Sequence, residues 1–208
     1  MIFDVDLTLI DTLEACYIAT NLLSDRFGLP TVSHDEVLSS ISLPQTEFWL
    51  KVFGEVRPEF HEFFRDSILP KVNFNGPIYP EAKNILNLAK SNNFLLGVAT
   101  NRENPWLDLV QMDLAQFFDT AVGVTPLLKP KPNPDILLQV IKQLFVPPSS
   151  AIFVGDSTLD MLAAKAAGIR GLGLTQGGTP ANRLFEAGAW MVKDNLGQLK
   201  DLVFSKQL

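Results

Sequence analysis

Six short apolar runs, at residues 2–5, 94–99, 120–124, 151–154, 171–174 and 190–192, punctuate this chain. Most are separated by segments whose apolar residues recur every three or four positions, at 79–91, 105–114, 135–144, 160–167 and 181–187. Runs of strand length alternating with helical periodicity argue for strands that lie parallel and are covered by helices. The expected fold class is therefore α/β, a Rossmann-like parallel sheet core with helices on both faces.

Residues 12–75 break that alternation, with helical patterns at 13–27, 34–40, 45–53 and 58–69 and no convincing strand between them. A small all-helical insertion after the first strand follows, giving a core of residues 1–11 and 76–208 and an insertion of 12–75. Asp11 followed by Glu14 reads as a capping pair for the first inserted helix, and Gly28 with Pro30 closes it. Phe48, Trp49, Phe53, Phe60, Phe63 and Phe64 supply the bulk that such an insertion needs for a core of its own. His34 falls at a helix start and His61 beside this aromatic group; neither has metal-ligand company.

The 17 basic and 23 acidic residues give a net charge of −6 with no basic block, which excludes a nucleic-acid partner. Cys16 is the only cysteine, so no intramolecular disulfide forms and a reducing, cytoplasmic setting is expected. It lies in an apolar helical stretch, as a buried structural residue does. No apolar run approaches the roughly 18 residues of a membrane span, so no membrane partner is expected. The pattern specifies no oligomeric state.

Chemistry concentrates where the apolar runs end. Asp4 and Asp6 interrupt the first run, and two carboxylates on one face of a core strand repel and lose hydration unless they share a cation or a reaction. Thr100 and Asn101 follow the second run, Lys129 lies in the loop after the third, and Asp156 and Asp160 follow the fourth. In an open parallel sheet these carboxyl ends form one edge, where ligands gather. A set of carboxylates without histidine or cysteine nearby favours Mg2+ over Zn2+.

Four segments in order, FDVDLTLID, VATN, LLKPKPNP and VGDSTLD, resemble the four motifs of the haloacid dehalogenase-like hydrolase superfamily. The helical insertion is similar to the small cap of its phosphoglycolate phosphatase and beta-phosphoglucomutase branch. The resemblance implies Mg2+-dependent hydrolysis of a small phosphorylated metabolite through an aspartyl-phosphate. Asp4 is then the nucleophile and Asp6 the general acid and base. Thr100 and Lys129 complete the catalytic set, with Lys129 preferred over Lys131 on the register of the proline-rich motif. Asp4, Asp6 (through its backbone carbonyl), Asp156 and Asp160 form the metal set, and Thr8, Asn101 and Arg102 contact phosphate or substrate. The SLPQT turn resembles the substrate loop of such caps and nominates Ser42 and Gln45 for the organic part. A phosphosugar mutase and a non-catalytic phosphate-binding protein are the alternatives. The second follows from Leu7, which stands where the family usually has glycine in a turn that must present Asp6 and Thr8.

Overall fold

The computed structural model describes residues 1–205. The elements run β1 (Ile2–Phe3), α1 (Leu13–Phe27), α2 (His34–Leu38), α3 (Gln45–Phe53), α4 (Pro58–Phe63), α5 (Ala82–Ser91), β2 (Gly97–Ala99) and α6 (Pro105–Gln111). They continue β3 (Thr120–Val122), α7 (Asp135–Leu144), β4 (Ile152–Gly155), α8 (Thr158–Ala166), β5 (Arg170–Leu174), α9 (Ala181–Glu186), β6 (Met191–Lys193) and α10 (Lys200–Ser205). The six strands form one parallel sheet in the order β3-β2-β1-β4-β5-β6. This is a Rossmann-like α/β fold, and its strand order reverses between β1 and β4.

Side chains of successive strand residues point to opposite faces, and the two core clusters follow that alternation. Ile2 and Phe153 pack with Ala99 and Val122 under Ile136, Leu137 and Val140 of α7 and Ala163 and Ala164 of α8. Phe3, Ile152 and Val154 pack on the other face with Ala82, Ile85 and Leu86 of α5, Leu109 of α6, and Leu202 and Val203 of α10. Both faces of the sheet are thereby covered by helices, as its apolar runs require.

The chain divides into two compact units, residues Met1–Ile10 with Ile78–Leu208, and residues Asp11–Pro77. The second unit is helical and has its own core, in which Trp49 and Phe60 are buried edge to face with ring centroids 5.8 Å apart. Its expected last helix is interrupted, since α4 passes into a π-helical turn at Phe64–Ile68. The capping pair expected at α1 does not form. Asp11 Oδ1 accepts from the Leu13 backbone N–H at 3.0 Å, while Glu14 turns to His34 Nε2 at 2.9 Å. The reciprocal capping box of this unit belongs instead to Ser33 and Glu36 at α2.

After β1 the chain makes a tight turn on the Val5 carbonyl, which accepts from Leu9 N at 2.9 Å and from Ile10 N at 3.2 Å. Leu7 N–H donates to Ile10 O at 2.8 Å, and Leu7 holds φ at 55°. A leucine in the left-handed region costs about 1–2 kcal/mol, so the turn forms despite the residue rather than because of it. Its side chain is buried, with 3% exposed. Truncating a buried leucine costs about 3–5 kcal/mol, which outweighs the strain. Leu7→Gly is therefore expected to lower stability by about 1–4 kcal/mol in urea unfolding. A rise in the unfolding midpoint would show that backbone strain dominates.

Candidate active site

The site grows from the point where the strand order reverses. Asp4 follows β1 and its N–H donates to Val154 O of β4 at 2.9 Å, so Asp4 stands beside the end of the strand that leads to Gly155 and Asp156. Ser157 then caps α8: its hydroxyl accepts from Asp160 N at 3.2 Å, while Asp160 Oδ2 accepts from Ser157 N at 3.0 Å and from Ser157 Oγ at 2.6 Å. This capping box brings Asp160 inward. Carboxylate oxygens of Asp4, Asp156 and Asp160, all three residues buried, lie within 4.8 Å of one another.

Close backbone approach fixes two of these acids. A Cβ on Gly155 would fall 2.6 Å from the Asp160 carboxylate, and one on Gly177 would fall 2.3 Å from Asp156 Oδ2. Asp156 Oδ1 also accepts from Thr8 Oγ1 at 3.0 Å. Thr8 is itself held through its carbonyl, which accepts from Gln176 Nε2 at 2.9 Å, and the same side chain accepts from Leu196 N at 3.0 Å. The threonine expected to contact phosphate thus spends its hydroxyl on an acid of the cluster, and Gln176, which no sequence pattern singled out, ties that turn to the loop after β5.

The lysine that reaches the acids is Lys131, not Lys129. Lys131 Nζ lies 2.8 Å from Asp4 Oδ1 and 2.6 Å from Asp160 Oδ1 and is buried, whereas Lys129 is exposed. The loop is seated by Asn101, whose Oδ1 accepts from Lys131 N at 2.9 Å. Lys131 lies between Pro130 and Pro132 and Lys129 between Leu128 and Pro130, and the anchor on Asn101 together with the Asp4 and Asp160 contacts holds Lys131 inward. Burial pushes the Asp4 carboxyl up to about 7, helped by Asp160 and Asp6 and opposed by Lys131. Burial and the Asp160 and Asp4 charges likewise raise Asp156 well above the usual carboxylate range. Burial works against the Lys131 ammonium, yet Asp160 and Asp4 more than offset it and raise its pKa.

With all three buried carboxylates ionised, one ammonium leaves two negative charges for a cation to balance; without a cation the raised Asp4 and Asp156 carboxyls take up protons instead, and every donor is a hard oxygen. The cluster therefore fits a hard divalent cation. Both oxygens of Asp160 already carry partners, which suits it to holding Lys131 and the helix start. Asp6, expected in the metal set through its backbone carbonyl, turns its side chain away to Arg102: Nε donates to Oδ2 at 3.0 Å and an Nη to Oδ1 at 2.8 Å. Thr100 follows β2, is buried, and accepts from Arg102 N at 3.3 Å. The Asn101 Oδ1 holds the lysine loop, while its buried Nδ2 donor has no hydrogen-bond partner among the described residues. Ser42 is half-buried and Gln45 opens α3, both within the helical unit.

The profile of the haloacid dehalogenase-like hydrolases matches residues 1–174. Phosphoglycolate phosphatase 1 of Pseudomonas aeruginosa is 29% identical over 224 residues, covering 96% of this chain and 77% of that protein. A phosphoglycolate phosphatase of Vibrio vulnificus is 28% identical over 214 residues, covering 97% and 94%. Among solved structures, a haloacid dehalogenase-like hydrolase from Bacteroides fragilis superposes with a TM-score of 0.86 at 25% identity, over 95% of this chain and 97% of that one. Beta-phosphoglucomutase from Clostridium difficile shares the fold with a TM-score of 0.80 at 22% identity, over 99% and 94%.

Two outcomes follow from the charge of the cluster. In EDTA at pH 7.5, Lys131→Ala is expected to cost about 3–5 kcal/mol in urea unfolding, because it strands buried carboxylates, while Lys129→Ala leaves the midpoint unchanged. A carboxyl whose folded pKa is raised favours the folded state when protonated, and that contribution is lost as pH climbs from the unfolded value near 3.8 to about 7. The metal-free melting temperature should decline across that window, and Asp4→Asn should flatten the decline.

Proposed function

Because the chain belongs to the haloacid dehalogenase-like hydrolase family, we propose that it is a Mg2+-dependent phosphatase of small phosphomonoesters of the phosphoglycolate kind, with Asp4 as nucleophile. The observation that carries this reading is the buried trio of Asp4, Asp156 and Asp160 around one lysine, whose full ionisation calls for a cation to balance two further negative charges. Clustering of like charges at that cost is what a site for a cation and a transferring phosphoryl group requires.

Asp4 attacks phosphorus, the bond from phosphorus to the ester oxygen breaks, and the phosphoryl group is carried as an aspartyl-phosphate. Asp6 gives a proton to the departing oxygen and then takes one from the water that cleaves the acyl phosphate. Lys131, already between Asp4 and Asp160, offsets charge on the nucleophile before attack and on the phosphoryl oxygens during it. The unpartnered Asn101 Nδ2 and the Thr100 hydroxyl supply donors for those oxygens. Asp4 and Asp156 would hold Mg2+, which supplies positive charge against the phosphoryl group. Thr8 and Asp160 orient these acids rather than touching the substrate.

The test is phosphate release from a panel of phosphoglycolate, hexose phosphates, nucleoside monophosphates, phosphoserine and pyrophosphate. Release should require Mg2+, stop on its removal with EDTA, and fall by at least about 10³-fold in Asp4→Asn. An Asp4→Asn protein that keeps its rate would refute the assignment of the nucleophile. Rapid exchange between two sugar phosphates with little free phosphate would favour a mutase instead.

A further inference from the structure

The Asp6 carboxylate gives both oxygens to the Nε and one Nη of Arg102, at 3.0 and 2.8 Å. Such a two-bond fork is the strongest pairing open to a carboxylate, and the pair is well enclosed, with 14% of the arginine side chain and 31% of the aspartate side chain exposed. The other Nη lies 3.2 Å from Asp108 Oδ2 in the first turn of α6. Burial disfavours the guanidinium, and the charges of Asp6 and Asp108 more than offset it, so Arg102 stays charged throughout.

On the reading of Asp6 as the residue that serves the departing oxygen, this pairing is a resting arrangement. A carboxylate whose two oxygens are both engaged by a guanidinium cannot at the same time bond to the ester oxygen of a substrate. Asp108 keeps Arg102 neutralised on one side, so Asp6 can leave provided that a second anion takes its place on the fork. A substrate can bring that anion itself: an ester oxygen bonded to Asp6 would carry a carboxylate on its first carbon toward the neighbouring Arg102. A planar carboxylate also matches the two-donor edge that Asp6 vacates.

We propose that Arg102 is a specificity-determining residue that exchanges Asp6 for the carboxylate of an α-phosphoryloxy acid, so that a correct substrate frees the Asp6 carboxylate to take a proton from water and pass it to the departing oxygen. This inference rests on the phosphatase reading for the role of Asp6. An uncharged ester of the same length leaves the fork on Asp6 and gains nothing from Arg102.

The experiment measures Mg2+-dependent phosphate release by the unmodified protein and by Arg102→Gln, with 2-phosphoglycolate and 2-hydroxyethyl phosphate as paired substrates. The unmodified protein should turn over phosphoglycolate at least about 10-fold faster, because only that substrate takes the fork and frees Asp6, and Arg102→Gln, which leaves Asp6 free with either substrate, should erase the preference by raising the 2-hydroxyethyl phosphate rate. Equal turnover of the two substrates, or a preference that survives Arg102→Gln, overturns the proposal. Equal loss of both rates in Arg102→Gln also overturns it, since that outcome makes Arg102 a structural support. Failure of the phosphatase reading shows separately, as absence of phosphate release from every ester by the unmodified protein.

Discussion

Everything at the site depends on the contact of Lys131 with Asp4 and Asp160 at the point where the strand order of the sheet reverses. Three carboxylates have been taken out of water within a few ångströms of each other, and a single ammonium makes that tolerable without making it neutral. The residual charge constrains the surroundings. Asp156 needs the Thr8 hydroxyl, Thr8 needs Gln176 behind it, and Asn101 must hold the lysine loop in place. The fold supplies the rigidity for this, because the acids hang from the ends of adjacent central strands whose faces are packed on both sides.

The alternation of strands and helices was legible because it rests on burial, and burial leaves a period in the sequence. The two core clusters contain the apolar residues of the expected runs, although the strands are shorter than the runs: β1 is Ile2–Phe3 and β2 is Gly97–Ala99. The runs overshoot because residues at strand ends remain buried after ladder pairing has stopped. The acids were legible for the converse reason, as charges standing where an apolar pattern demanded none. Membership of the haloacid dehalogenase-like family bears out the reading of the four motifs.

Loop lysines leave no such trace. Lys129 and Lys131 sit in the same proline-rich segment, and no periodicity separates an inward residue from an outward one there. What separates them is the bond from Lys131 N to Asn101, a residue 30 positions away. The bond of Thr8 to Asp156, the role of Gln176 and the Arg102 fork are illegible for the same reason, because each is defined by a partner distant in sequence. Leu7 is a different case. The sequence showed an unfavourable residue for a left-handed turn, and the chain adopts that turn regardless, because burial of the side chain outweighs the backbone cost.

Asp160 does two things with one carboxylate: one oxygen closes the first turn of α8 on Ser157, and the other holds Lys131. A helix end ordinarily frays independently of what lies nearby, since its first amides are only loosely tied. Here fraying would withdraw the anchor of the lysine and leave Asp4 without its counter-charge. The start of α8 and the charge balance around Asp4 are therefore a single cooperative unit, and local opening of that helix end is a way of dismantling the site without unfolding the sheet beneath it.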